Sequence, residues 1–247
     1  MKNFLKLILS CALFTVVFFI FRSPMYYNLN TLLADLGGLA YLYSTVVFIF
    51  AIFAAFVIFF EAERWNSLVD AVKGEVGQLN ELYLWSRHLP ENLKSRFSTD
   101  IKKYLEVRVN SRLHYGNKKN LETEETLNSL HNDIYQILKD EPTMMPTAFS
   151  AFSDLMKFRE KRIHYSHFHL PKILKYTLYF NSVLLILFSF LIAVKNVWLA
   201  YIFVLGIFAL VESMFLLIDD LDHPMRPGSF HITTDSYQEL LDNINKN

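Results

Sequence analysis

A single cysteine, Cys11, excludes an intrachain disulfide. Glycine and proline are scarce, seven of each in 247 residues, and no Gly-rich phosphate loop is present. Neither sign of charge dominates, since 24 Lys and Arg balance 24 Asp and Glu. No basic patch with interleaved aromatics stands out, so nothing points to nucleic acid as a partner. No Ser-His-Asp, Cys-His or HExxH arrangement assembles from contiguous motifs, and no carboxylate pair stands out as an acid/base site. The chain is therefore not read as an enzyme. No alternating strand pattern and no internal repeat of 20–50 residues interrupts the helical patterning.

What is abundant is apolar surface: 53% of the residues are hydrophobic and 23 are Phe. Uncharged runs cover Leu7–Phe21, Leu36–Phe60 and Tyr176–Val194, and Asn196–Ile218 is broken only by Glu212. About 20 apolar residues cross a bilayer as a helix. The pattern predicts an all-α membrane protein with four transmembrane helices in two pairs. The first pair occupies 1–60, with helices at 4–21 and 36–60. The second occupies 176–226, with helices at 176–194 and 197–218. A helical domain at 61–175 lies between the pairs, and a tail follows from 227 to 247. The middle block holds 18 of the 24 Lys and Arg and 16 of the 24 Asp and Glu. Lys2 and Lys6 precede the first run, Arg22 alone marks the connection after it, and Lys195 the connection between the last two. The positive-inside rule then places both termini and the middle block in the cytoplasm. Lys2 and Lys6 also imitate a signal peptide, but no small-x-small pattern follows Phe21, so a retained anchor helix is expected.

Within the middle block, Leu68, Val72, Val76, Leu79 and Tyr83 keep helical spacing beyond Glu61, so the second helix is expected to run on to about His88. Pro90 with Glu91 opens a helix expected over 91–114. Further helices are expected over 122–139 and 147–168, with Pro171 separating or kinking the last from the third apolar run. A final short helix is expected over 234–243.

Four constellations carry candidate chemistry. Asp219, Asp220 and Asp222 crowd a helix C-terminus, where the dipole favours cations. Bound Ca²⁺ would compensate, and so would pairing with Arg or Lys. Glu212 lies inside an apolar run, where a carboxylate either faces a pore or relay or reaches the interface. His164, His167 and His169 lack a Cys or carboxylate to complete a zinc set, and an interfacial aromatic belt accounts for them better. Phe48, Ile52 and Phe56 share one helix face, which meets lipid or a neighbouring helix, or forms a constriction that gates by dewetting.

Three segments resemble the bestrophin-like family of bacterial membrane proteins, relatives of the bestrophin anion channels. They are Glu61-x-x-Arg64-Trp65-x-x-Leu68-x-x-Ala71, Arg159-x-x-Arg162 with His169-Leu170-Pro171, and Leu221-Asp222-His223-Pro224-Met225-Arg226-Pro227-Gly228. The resemblance implies a homo-oligomer, a pentamer in the bestrophins proper, in a bacterial inner membrane. It implies that helix 2 lines a pathway for small anions. Setting Arg64-Trp65 on the family's Arg-Trp pair places Phe48, Ile52 and Phe56 on the apolar neck. Arg64, Arg108, Arg112, Arg159 and Arg162 become the vestibule's basic residues. Asp219, Asp220 and Asp222 fall where some members bind Ca²⁺, although the acidic run is short and Asp222-His223-Pro224-Met225 replaces the usual Asn-Pro-Phe-Gly. A non-conducting scaffold that uses the middle helices as a docking platform is the alternative, and a carrier built on Glu212 is a third.

Overall fold

The computed structural model describes residues 2–22, 36–110, 117–140, 145–191 and 196–246. Eight helices account for nearly all of them: α1 (Lys2–Arg22), α2 (Leu36–Ser86), α3 (Glu91–Asn110), α4 (Asn117–Asp140), α5 (Met145–His167), α6 (Lys172–Leu191), α7 (Val197–Asp222) and α8 (Asp235–Lys246). No strand occurs among the described residues. The turn at Pro24, Arg112 and Lys195 lie outside them.

The chain divides into two units. The first comprises 1–63 and 169–223 and contains α1, the start of α2, α6 and α7. Among the described residues, three helices are long and apolar enough to cross a membrane: Tyr41–Ser86, Lys172–Phe190 and Val197–Asp222. The apolar stretch of α1, Leu5–Ile20, is shorter. α1 packs on α7 through aromatic rings, with Phe14 stacked on Phe208 at 4.1 Å and Phe18 fully buried. The Thr15 and Tyr201 hydroxyls meet at 2.9 Å. A second cluster joins Phe50, Ala54 and Val57 of α2 to Leu178 and Leu185 of α6 and Val211 and Ile218 of α7. Ala54 and Val57 are small enough for helices to approach closely there. Asn196 caps α7 by accepting from the Trp198 and Leu199 amides.

The second unit comprises 64–168 and 224–247. Its core gathers Leu68, Leu79 and Leu82 of α2, Phe97 and Ile101 of α3, Leu130 of α4, Leu155 of α5 and Tyr237 of α8. Pro90 accepts from the Leu93 and Lys94 amides and so starts α3. Asp235 stands in the first turn of α8, Lys246 in its last, and Tyr237, Leu240, Leu241 and Ile244 form its buried face.

Several helix ends differ from the sequence expectation. α2 ends at Ser86, and α4 begins five residues before 122. The early turn of α4, Asn117-Lys118-Lys119-Asn120, has no apolar residue to announce it. α7 continues to Asp222, so the three aspartates belong to its last turn. α5 ends at His167 and α6 begins after Pro171, which accepts from the Leu174 and Lys175 amides.

Candidate ion pathway and helix-exit sites

The α2 segment of the first unit has two unlike faces. Ala54 and Val57 are buried, whereas Phe48, Ile52 and Phe56 are 65%, 56% and 59% exposed. Their spacing of four residues aligns them on one side of the helix. That side is not covered by other parts of the described chain.

The exit motif contributes to both units. Glu61 is fully buried in the first. In the second, Arg64 donates from Nη1 to the Phe168 carbonyl, and Trp65 donates from Nε1 to the Phe230 carbonyl at 2.7 Å. The Phe230 ring also stands edge-on to Trp65 at 5.6 Å. The two motif residues thus hold the chain just after α5 and just before α8.

At the end of α7 the three aspartates have different surroundings. Asp222 is buried and accepts from the Leu170 amide at 2.8 Å and from Lys175 Nζ at 2.5 Å. Asp219 is exposed and pairs with His223 at 3.4 Å, and Asp220 is half-buried. Among the described residues, the compact metal-capable group is His169, Asp222 and His223, which includes one of the three aspartates. Ca²⁺ requires six to eight oxygen ligands. This donor set, with two imidazoles, does not supply them. Glu212 is half-buried within α7. His164 belongs to α5 and lies near Tyr165 and Phe168.

Four arginines of the second unit, Arg64, Arg108, Arg159 and Arg162, are buried, whereas most of its lysines are not. Arg162 and Glu75 are both fully buried and joined at 2.5 Å. Arg108 lies 3.7 Å from the same carboxylate, and the Tyr104 hydroxyl donates to it at 2.5 Å. Arg159 pairs with Glu124. Burial, reinforced by the Glu75 charge, pushes the Tyr104 hydroxyl up to about 12. Burial also raises Tyr237, whose hydroxyl is enclosed near the same groups. Sequence reasoning missed this cluster. Its signal was Glu75 standing on the apolar stripe between Val72 and Leu79.

These features define an all-helical membrane protein with one unit of apolar helices and a second, charge-bearing helical unit. A family model, the Bestrophin-like domain, matches residues 7–237, and the chain belongs to that family. No curated protein matches it by sequence. Its fold is similar to a crystal structure described as a membrane protein, at 14% identity and TM-score 0.78, covering 100% of this chain and 98% of that one. It is also similar to a variant of a bacterial bestrophin homolog from Klebsiella pneumoniae, at 13% identity and TM-score 0.74, covering 99% and 96%. A second variant of that homolog gives 13% identity and TM-score 0.73, covering 100% and 98%.

Proposed function

We propose that this chain is the subunit of a bestrophin-type homo-oligomeric channel that conducts small anions, with α2 lining the pathway. One observation carries the reading: in a Bestrophin-like chain, the α2 face bearing Phe48, Ile52 and Phe56 is uncovered while the opposite face is packed. Copies arranged about an axis would turn that face inward, and three rings of bulky apolar side chains would form a neck that gates by dewetting. Lipid contact is the competing use of such a face.

In this reading α1, α2, α6 and α7 span the bacterial inner membrane. Both termini and the 61–175 helices lie in the cytoplasm, a placement that the distribution of Lys and Arg supports. The Arg64-Trp65 exit motif fixes the chain after α5 and before α8 within the aqueous helices. Arg159 and Arg162 act from behind its wall, held by Glu124 and Glu75, rather than as bare cations on it.

The test is reconstitution. The full chain in nanodiscs is expected to be a symmetric oligomer, and in liposomes it is expected to release chloride. Phe56→Ala is expected to widen or deregulate the pathway. A monomer, or silent liposomes from a well-folded oligomer, would overturn the proposal, the latter in favour of a scaffold. Flux that survives Glu212→Gln separates a channel from a carrier built on that carboxylate.

A further inference from the structure

We propose that His169, Asp222 and His223 form a binding site for a divalent transition metal of the zinc class, tying the segment before α6 to the end of α7. One ligand atom from each residue lies within 4.8 Å of the other two. The distances to the carboxylate are shorter: His169 Nδ1 is 3.6 Å from one Asp222 oxygen and His223 Nδ1 is 3.9 Å from the other. Ligands about 2.1 Å from a tetrahedral ion stand roughly 3.4 Å apart, so the three groups need only a small closure. The two rings already face each other at 5.5 Å, tilted by 37°.

The site is built for a cation. Asp222 is 1% exposed, and the Lys175 ammonium rests on its Oδ2 at 2.5 Å. Lys175 is itself about one-third exposed, at 36%, and can withdraw along its flexible stem. The Leu170 amide holds Oδ1, which fixes the carboxylate's orientation as a second-shell donor does in metal sites. A hollow of about 50 Å³ beside the carboxylate, lined by Lys175, Tyr179, Phe215 and Asp219, has room for a water ligand. Each imidazole now contacts a backbone carbonyl, His169 that of Asp222 at 3.3 Å and His223 that of Asp219 at 3.0 Å. Both contacts are open to exchange for a metal, since neither ring is buried.

The donor set selects the ion. Two imidazoles and one carboxylate suit Zn²⁺, Co²⁺ or Ni²⁺, whereas Ca²⁺ and Mg²⁺ prefer all-oxygen shells. The site is independent of conduction, so its test does not depend on the channel proposal.

The experiment is calorimetric titration of the chelator-stripped, tag-free full chain in detergent with ZnCl₂, with Co²⁺ absorption as a second readout. One zinc per chain is expected, and CaCl₂ is expected to give no saturable heat at the same concentrations. His169→Ala and His223→Gln should each weaken zinc binding by on the order of 100-fold, with metal-free melting unchanged. His164→Ala should leave it unaltered. Lys175→Met, which removes the cation that the metal displaces, should tighten it. Wild-type affinity in both histidine variants, fewer than one zinc per chain, or unchanged or weaker binding in Lys175→Met would overturn the site.

Discussion

The two units solve the burial problem in opposite ways. The first packs rings and small aliphatic groups inside and leaves Phe48, Ile52, Phe56 and Phe59 exposed. The second buries Glu75, Arg108, Arg162 and Tyr104 together, and many of its outward positions are charged. In water, apolar burial is the main driving force, so a buried ion pair adds specificity at some cost in desolvation. In lipid that driving force vanishes between helices, and packing and hydrogen bonds take over. In the proposed topology the same residue type therefore has a different energetic weight in each unit.

The sharpest way to break this contrast is to remove one partner of the buried cluster. Glu75→Ala leaves Arg162 buried without its carboxylate and is expected to cost about 3–5 kcal/mol. Hydrogen exchange on the full chain checks it, with protection lost in α3 and α8 and retained in α6 and α7. Replacing both partners, Glu75→Met with Arg162→Met, should recover much of the loss. A single variant as stable as the parent would show that the cluster is solvated, not structural.

Two glycines in the second unit give a smaller, paired test. A Cβ on Gly74 would run into the Phe158 ring, while one on Gly77 would meet nothing within 4 Å. Gly74→Ala is expected to destabilise by about 1–3 kcal/mol through overpacking. Gly77→Ala is expected to stabilise by about 0.5–1 kcal/mol, since Gly is a poor helix former. Opposite shifts in the melting temperature are the outcome that supports tight packing at Gly74 and open space at Gly77.

The legible parts of the sequence were those written in local periodicity. The continuation of α2 past Glu61 followed from Leu68, Val72 and Leu79, and the start of α3 from Pro90 and Glu91. Pairings across long separations left no such trace. Glu75 meets a residue 87 positions away, and Asp222 meets Lys175 47 positions away. Charged residues in a solvated block read as surface until a partner is known, so the burial of Arg162 against Glu75 was not legible. His169 read as part of an aromatic belt for the same reason, because its carboxylate neighbour is 53 positions away. The uncovered face of α2 was legible as a helix face, but local periodicity does not say what it meets.

Alkaline titration probes the buried cluster more gently. Tyr104 is pushed up to about 12 by burial and by Glu75, and Tyr237 is raised by burial. The folded state therefore holds these protons after an unfolded chain has released its own near pH 10. The sign follows: the contribution is fully present below about pH 10 and falls as pH rises towards 12. Tyrosinate absorbance should show a late-titrating fraction that Glu75→Gln brings earlier, if the variant still melts cooperatively. Titration of every tyrosine near pH 10 in the folded protein would count against the enclosed cluster.

The smallest expected effect lies in the first unit and completes the contrast. Tyr201→Phe removes the contact between the Thr15 and Tyr201 hydroxyls, which joins α1 to α7. In the second unit, losing one polar partner strands a buried charge. Here Thr15 keeps a hydrogen bond to the Cys11 carbonyl at 2.8 Å, so no donor is left unsatisfied. Interhelical hydrogen bonds in membranes average about 0.6 kcal/mol, because the separated helices also find partners. The Phe ring preserves the packing against Phe18 and Phe19, whose centroids lie 5.4 and 5.3 Å from the Tyr201 ring. Unfolding of the full chain in mixed micelles, followed by tryptophan fluorescence in a Trp65→Phe, Trp85→Phe background that leaves Trp198 on α7, should shift by about that amount. A loss above about 2 kcal/mol would mean that this hydroxyl pair sits in an environment as unforgiving as the Glu75 cluster.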